Sequence, residues 1–319
     1  MFFISGTVDL SLGLPEIYKE ILPITNTIVK PNNFFYQFTA PIELEEAIRN
    51  FHKRMNIPDE ARKGKLLAGS GSTQLISSYL YVMRTKFNLT HVYIQSPYYD
   101  FHINLIRLNG LKLTQNKQEA QVEIITVINN PDGAFNQPKT NALYKIYDCA
   151  YYYPQFIKNN QFPTFFKNKN DITTFTSSKS ISTAGARIGS AYVENDEIAE
   201  AMTNYIIDST FGISPYSSAI VTFIYNNIEL SDILKIKTII QNRFETLKLI
   251  LKDSLQNDQG AYAWIKLKNN MQIVNDLNVL VKNGKVYGAS EDFFRINLMC
   301  STFKFNEFVK RISKIKKIF

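Results

Sequence analysis

Phe175-Thr176-Ser177-Ser178-Lys179-Ser180-Ile181-Ser182-Thr183-Ala184-Gly185-Ala186-Arg187-Ile188-Gly189 sets a lysine among small hydroxyl residues at the end of a β-branched run, Ile172 to Thr176. An arginine follows eight residues later, beside glycines. A surface lysine needs only water around it, whereas one flanked by Ser, Thr, Ala and Gly sits where backbone and small ligand groups approach closely. Such an amine forms a Schiff base with an aldehyde once it has lost its proton, and a second cation nearby favours that loss. Arg187 supplies such a charge and carries the forked donor set that suits a phosphate. Two readings stay open on this stretch alone: a site for pyridoxal phosphate (PLP), which needs both functions, or a strand-to-loop junction with a buried hydroxyl network.

Upstream, three apolar runs end alike. His91 to Gln95 reads as a buried strand followed by Ser96-Pro97-Tyr98-Tyr99-Asp100. Val122 to Ile128 ends in Asn129-Asn130-Pro131-Asp132-Gly133, and Leu143 to Tyr147 ends in Asp148-Cys149-Ala150-Tyr151. A tyrosine just beyond a strand either lays its ring on a flat heterocycle or packs in the core. Adjacent amides either form a turn or offer a donor to a ring oxygen. An aspartate at the end of an apolar strand is costly unless paired; a pyridinium nitrogen would pair it, and capping the next turn is the alternative. Earlier still, Leu66 to Gln74 is a glycine-serine loop opening a helix whose apolar run is Leu75 to Met83. Its free N–H groups and hydroxyls suit an anion, although it has neither a Walker lysine nor a dinucleotide spacing, and a plain helix cap is the competing reading. Each segment is a short apolar strand with polar residues at its C-terminal end. Open α/β sheets bind ligands in the crevice outside those ends.

The remaining chain frames this core. Residues 1 to 40 read as an irregular arm with four aromatics, Phe34, Phe35, Tyr36 and Phe38, in five positions. Ile42 to Met55 reads as an amphipathic helix with acids first and bases last, matching the helix dipole. Beyond Lys179, helices are expected over Asn195 to Ser209, from Ser214 to Tyr225, over about six turns marked by Ile233 to Leu255, and over Met271 to Val281. Strands are expected over Ala261 to Leu267 and Phe293 to Leu298, and a terminal helix with a basic face near Lys310. Arg295 stands in an otherwise apolar strand and calls for an anionic partner, for which a substrate carboxylate is one candidate.

At 319 residues the chain suggests a large domain plus a smaller one. Its net charge of +8 is scattered apart from the C-terminal tail, which suits anionic ligands better than a nucleic-acid stripe. Cys149 and Cys300 are too few for a disulfide framework, and His52, His91 and His102 are too scattered for a structural zinc, so no metal is expected. The opening Met1 to Gly6 lacks the basic and apolar regions of a signal peptide, and no run reaches membrane-spanning length. A cytoplasmic protein without nucleic-acid or membrane partners is expected.

In order, the chain carries "GSGSTQL", "NNPDG", "DCAYYYPQF", "TSSKSISTAGARIG" and "MTNYIIDSTFGIS". This series resembles the fold-type I PLP-dependent aminotransferase superfamily, and most closely its alliinase and tryptophan aminotransferase-related group, over most of the chain. The resemblance implies an α/β fold: a large domain with a mostly parallel sheet between helices, about residues 35–205, and a smaller α+β unit from residues 1–34 and 206–319. It implies that Lys179 holds PLP as an aldimine and shuttles the substrate proton, with Asp148 on the pyridine nitrogen and Tyr151 and Asn130 on the ring oxygen. Tyr99 would stack on the ring; Gly71, Ser72, Thr73, Thr176, Ser178 and Arg187 would hold the phosphate. Arg295, with Asn130 and Gly13, would bind the substrate carboxylate, and Tyr36 would cross to a partner subunit in a homodimer. The implied reaction is transfer of an amino group from an L-amino acid, hydrophobic or aromatic, to a 2-oxo acid. A C–S lyase of the alliinase kind is the alternative, and a non-catalytic PLP-fold binding protein the distant one. Alliinases carry a cysteine-rich N-terminal module, which two cysteines do not build, and this favours transamination.

Overall fold

The arm read as irregular contributes a short strand, β1 (Val8–Asp9), and one helical turn, α1 (Tyr18–Ile21), in a computed structural model that describes residues 7–22, 38–159, 161–165, 167–267 and 277–315. The aromatic run 34–37, Tyr36 included, and most of the helix expected over Met271 to Val281 lie outside the described residues. The described end of that stretch corrects the expectation, because Val279–Leu280 is a strand that pairs in parallel with β1. The pairing satisfies backbone groups that neither two-residue segment could satisfy alone.

Next comes α2 (Ile42–Arg54), which buries Leu44, Ala47, Ile48 and Phe51 and places Glu43 and Glu45 in its first turn and His52, Lys53 and Arg54 in its last. The main sheet follows as β2 (Lys65–Ser70), α3 (Gly71–Thr85), β3 (His91–Ile94), α4 (Asp100–Leu108), β4 (Lys112–Thr114), β5 (Val122–Thr126), β6 (Tyr144–Asp148), β7 (Ile172–Thr176), the single turn α5 (Ser177–Ser180) and β8 (Ile188–Val193). Its seven strands lie in the order β2-β8-β7-β6-β5-β3-β4. Pairing is parallel from β4 through β7, while β8 runs antiparallel to both its neighbours. Strands β5, β7 and β8 are buried at every position, as required where helices cover both faces. Separate apolar clusters fill the two faces, one built on Phe51, Phe175 and Leu247, the other on Tyr79, Ile106 and Met202.

Helices α6 (Asp196–Thr210), α7 (Pro215–Asn227) and α8 (Leu230–Leu251) occupy the stretches expected of them, with Asn195 and Ser214 as side-chain caps. Leu255 falls beyond α8, which stops where Lys252 takes a positive φ of 47°. A second, antiparallel sheet then forms from β9 (Tyr262–Lys266), β11 (Lys282–Asn283) and β12 (Phe293–Asn297), with β12 central; β10 is Val279–Leu280, and α9 (Thr302–Ile312) closes the described chain. The register sets Arg295 opposite Lys282 on one side and Trp264 on the other. The architecture is thus α/β, with a mostly parallel sheet and a smaller antiparallel one.

Candidate active site

The candidates on the main sheet follow the C-terminal ends of its strands, except Arg187, which enters the antiparallel β8 at the same edge. Asp148 is the last residue of β6, level with Thr126 of β5 and Thr174 of β7. Beyond β7, Thr176 stays extended while its Oγ1 accepts a hydrogen bond from the Ser178 N–H at 3.2 Å, which caps the one turn that carries Lys179. That hydroxyl, assigned to a phosphate from the sequence, is engaged as an N-cap. The Lys179 carbonyl accepts from the Tyr18 hydroxyl at 2.9 Å, and Gln155 Nε2 donates to the same hydroxyl at 2.9 Å. The lysine carbonyl is therefore held by Tyr18, which Gln155 fixes in turn, and the lysine Nζ donates to the Gly13 carbonyl.

The phosphate candidates converge where β2 turns into α3. Gly71 has a φ of 78°, which an L side chain rarely adopts, and a Cβ there would lie 2.5 Å from Arg187 Nη2. Gly189 pairs with both Gly69 and Thr176, and a Cβ on it would lie 2.4 Å from the Ser72 nitrogen. Only a bare backbone in β8 lets the N-terminus of α3, with Ser72 and Thr73, come this close to the sheet. Arg187 itself takes a left-handed φ of 54° and donates to the carbonyls of Ala184 (3.1 Å) and Ser70 (3.3 Å). A helix N-terminus, small side chains and a guanidinium on neutral acceptors form an anion cradle. Ser178 is buried one turn away.

Asp148 is 4% exposed and bonded to His102 Nε2 at 3.1 Å, with the Ala150 N–H donating to its other oxygen at 3.1 Å. His102 Nδ1 is buried with no partner among the described residues. His102 is a site residue that the sequence reading set aside as one of three scattered histidines. Its spacing was the available signal: Tyr99 is the N-cap of α4 and His102 lies three residues on, so their rings meet edge to face at 5.3 Å. Tyr99 also stacks on Phe101 at 5.5 Å, and burial pushes its phenol up.

At the other end of the crevice Arg295 is 2% exposed, yet no carboxylate pairs with it among the described residues. It donates to Asn130 Oδ1 at 2.9 Å and to the Ser11 carbonyl at 2.6 Å, and its Nε is buried without a partner. Its guanidinium lies 4.1 Å from the ring centre of Tyr262 and 5.3 Å from that of Tyr287. Asn130 Nδ2 reaches the Tyr151 hydroxyl at 3.5 Å, and that hydroxyl is 2.6 Å from the hydroxyl of Tyr262. Tyr262 was missed from sequence, where it reads as one more aromatic opening an apolar strand. Gly13 lies beside Tyr262: a Cβ on it would meet Tyr262 Oη at 2.3 Å and Lys179 Nζ at 3.3 Å, and its carbonyl, which would repel a carboxylate, accepts from Lys179. Arg295, Asn130, Tyr151 and Tyr262 are thus linked by hydrogen bonds, the Lys179–Gly13 pair borders Tyr262, and Asp148 has its own partners in His102 and Ala150. A cleft of about 660 Å³ along β2, lined by Glu45, Arg49 and Glu194, holds none of them.

A family model described as "Allinase" matches residues 30–254. The chain belongs to the alliinase family. Tryptophan aminotransferase-related protein 2 of Arabidopsis thaliana is 27% identical to it over 96% of this chain and 81% of that protein. Alliin lyase 1 of Allium sativum is 24% identical over 63% of this chain and 45% of that protein. Among solved structures, an aromatic aminotransferase from Pyrococcus horikoshii superposes with a TM-score of 0.78 at 17% identity, covering 98% of this chain and 96% of that one. The fold is that of fold-type I PLP enzymes, and this alliinase-family chain is a PLP-dependent enzyme of that type. Its residues fit the cofactor: the glycine-lined cradle at Gly71 and Gly189 accommodates an anion, and a buried carboxylate, an amine and a tyrosine hydroxyl stand around one crevice.

Proposed function

We propose that this enzyme is an aminotransferase that moves the amino group of an L-amino acid, hydrophobic or aromatic in its side chain, to a 2-oxo acid. The observation that carries the reading is Arg295: a buried guanidinium on two neutral acceptors, facing the same crevice as the Lys179 amine. A substrate carboxylate forked onto Arg295 replaces those neutral acceptors with a bidentate, charge-assisted pair, and Asn130 fixes its orientation from the side. PLP, when bound, supplies an electron-poor ring that takes up the electron pair left as the α-proton departs.

The chain's own groups divide the remaining work. The α3 N-terminus and Arg187 hold the phosphate, with Ser72, Thr73 and Ser178. Asp148, positioned by His102, holds a proton at the ring nitrogen, and Tyr151 and Asn130 hold the ring oxygen. Tyr99 covers one ring face. The Lys179 Nζ, once neutral, would take the proton from the substrate α-carbon. A hydrophobic or aromatic donor is supported by the rings that wall the Arg295 end, Tyr99, Tyr262 and Tyr287. Support for transamination over C–S cleavage comes from the relatives: the aminotransferase-related protein aligns with almost the whole chain, the alliin lyase with under two thirds of it. We further propose that the enzyme acts as a homodimer.

The test is the absorption spectrum of the protein with PLP and a panel of L-amino acids. A visible band that fades with one amino acid and returns with a 2-oxo acid supports transamination and names the donor class. Release of pyruvate and ammonia without an acceptor assigns the lyase. No visible band with excess PLP overturns the role of Lys179.

A further inference from the structure

Two cations, Lys179 and Arg295, lie about Tyr262, and their hydrogen bonds go to neutral oxygens of Gly13, Ser11 and Asn130. Asp100, an acid that bears on Arg295, is engaged by Lys282 at 2.9 Å. Between the cations stands Tyr262, 1% exposed, with Arg295 over its ring at 4.1 Å. Its hydroxyl and the Lys179 amine both border Gly13. The Tyr151–Tyr262 oxygen separation of 2.6 Å lies in the range of a charge-assisted O–H···O⁻ bond, shorter than the usual neutral pair.

We propose that in the chain without cofactor Tyr262 is the resident counter-ion of this site, a phenolate that accepts the Tyr151 hydrogen bond between Lys179 and Arg295 and takes up a proton when a carboxylate binds Arg295. The second half rests on the carboxylate-binding role of Arg295 proposed above. The groups that face Tyr262 are Lys179 from α5, Arg295 from β12, Lys282 from β11, Tyr151 beyond β6, Tyr99 at the cap of α4 and Tyr287 in the turn before Gly288. Burial raises its phenol, but Lys179, Arg295, the Tyr151 hydrogen bond and Lys282 outweigh burial and bring it below the usual value. Burial drives Tyr151, Tyr99 and Tyr287 the other way, so these stay protonated and Tyr151 is the donor. The balance is simple: one O–H bond forms at Tyr262, one proton leaves a buffer acid, and nothing is oxidised. The incoming carboxylate replaces the phenolate charge beside Arg295.

The experiment is an ultraviolet difference titration of phenolate in the full chain prepared without cofactor, as wild type, Tyr262→Phe and Arg295→Gln, each checked for folding by circular dichroism. The expected result is about one phenolate appearing ahead of the remaining tyrosines in wild type, absent in Tyr262→Phe, and moved up by roughly one pH unit or more in Arg295→Gln. An early phenolate that survives Tyr262→Phe, or that ignores Arg295→Gln, overturns the proposal, as does its absence from wild type. Adding 3-phenylpropionate to wild type is expected to shift the early phenolate upward, with up to one proton taken up per carboxylate bound. Binding without that shift overturns the exchange. Failure of 3-phenylpropionate to bind removes the substrate role of Arg295 instead, and the two variants still decide whether Tyr262 is the counter-ion.

Discussion

At the sheet end of the crevice, Thr176, Gly189 and Gly69 are consecutive partners across three adjacent strands, and Gly71 follows at the start of α3. At the other end, Arg295 is tied to Asn130 and Ser11, residues 165 and 284 positions away, through side-chain hydrogen bonds to neutral oxygens. The first end is fixed by backbone pairing and close packing, and holds its shape whatever is bound. The second is a set of polar groups that satisfy one another in part, with the Arg295 Nε left over. Rigid geometry suits a cofactor that stays, and exchangeable hydrogen bonds suit substrates that come and go.

The comparison breaks first at Lys179, which serves both ends. Lys179→Ala is expected to abolish the visible PLP band and to lower amino-group transfer by at least about 10²–10⁴-fold, read by absorbance and turnover. Arg295→Lys is expected to separate the two ends: it keeps the charge but loses the fork, so kcat/KM for the amino acid falls by about 2–5 kcal/mol while PLP affinity is unchanged. Gly189→Ala is expected to do the reverse. Its methyl group meets the Ser72 nitrogen, so PLP affinity and Tm fall by an equivalent of about 1–3 kcal/mol, while KM for the amino acid in the loaded enzyme holds.

The smallest effect concerns what stands behind the sheet end. His52 is buried with its ring nitrogens on the hydroxyls of Tyr192 (2.9 Å) and Tyr153 (3.2 Å), and its ring lies 4.4 Å from that of Phe175 in β7. Burial, assisted by Arg62 and Arg49, lowers its pKa from 6.5 to about 3. The unfolded chain therefore binds a proton here that the folded chain refuses. The stabilisation is full above pH 6.5 and drains as pH falls toward 3, by about 1 kcal/mol between pH 6 and 5. Tm measured across that interval is expected to fall more in wild type than in His52→Gln.

Much of the sheet end was legible because each of its strands announces itself as an apolar run that ends in polar residues. The lysine turn, the glycine loop, Asp148 and the Asn-Pro-Asp-Gly turn were readable for the same reason. Strand β8 was not: Ile-Gly-Ser-Ala-Tyr-Val has no alternation, and its glycine is dictated by the start of α3 that packs on it, not by strand preference. The Val279–Leu280 strand was read as helix because its conformation comes from pairing with Val8, on the far side of the sequence. The Arg295 end was legible only as an arginine in need of a partner. Its actual partners, Asn130 and Ser11, and the phenol pair beneath it depend on how two sheets meet. No spacing rule within either segment encodes that meeting.

The segment Ser11 to Gly13 occupies, with its carbonyls, the very donors that Lys179 and Arg295 offer to incoming molecules. It acts as a tethered competitor. A short flexible tether presents its end at an effective concentration of about the millimolar range, so every apparent affinity at this site is a ratio between the ligand and the chain's own backbone. Loosening that segment would tighten binding without adding a single contact to the ligand.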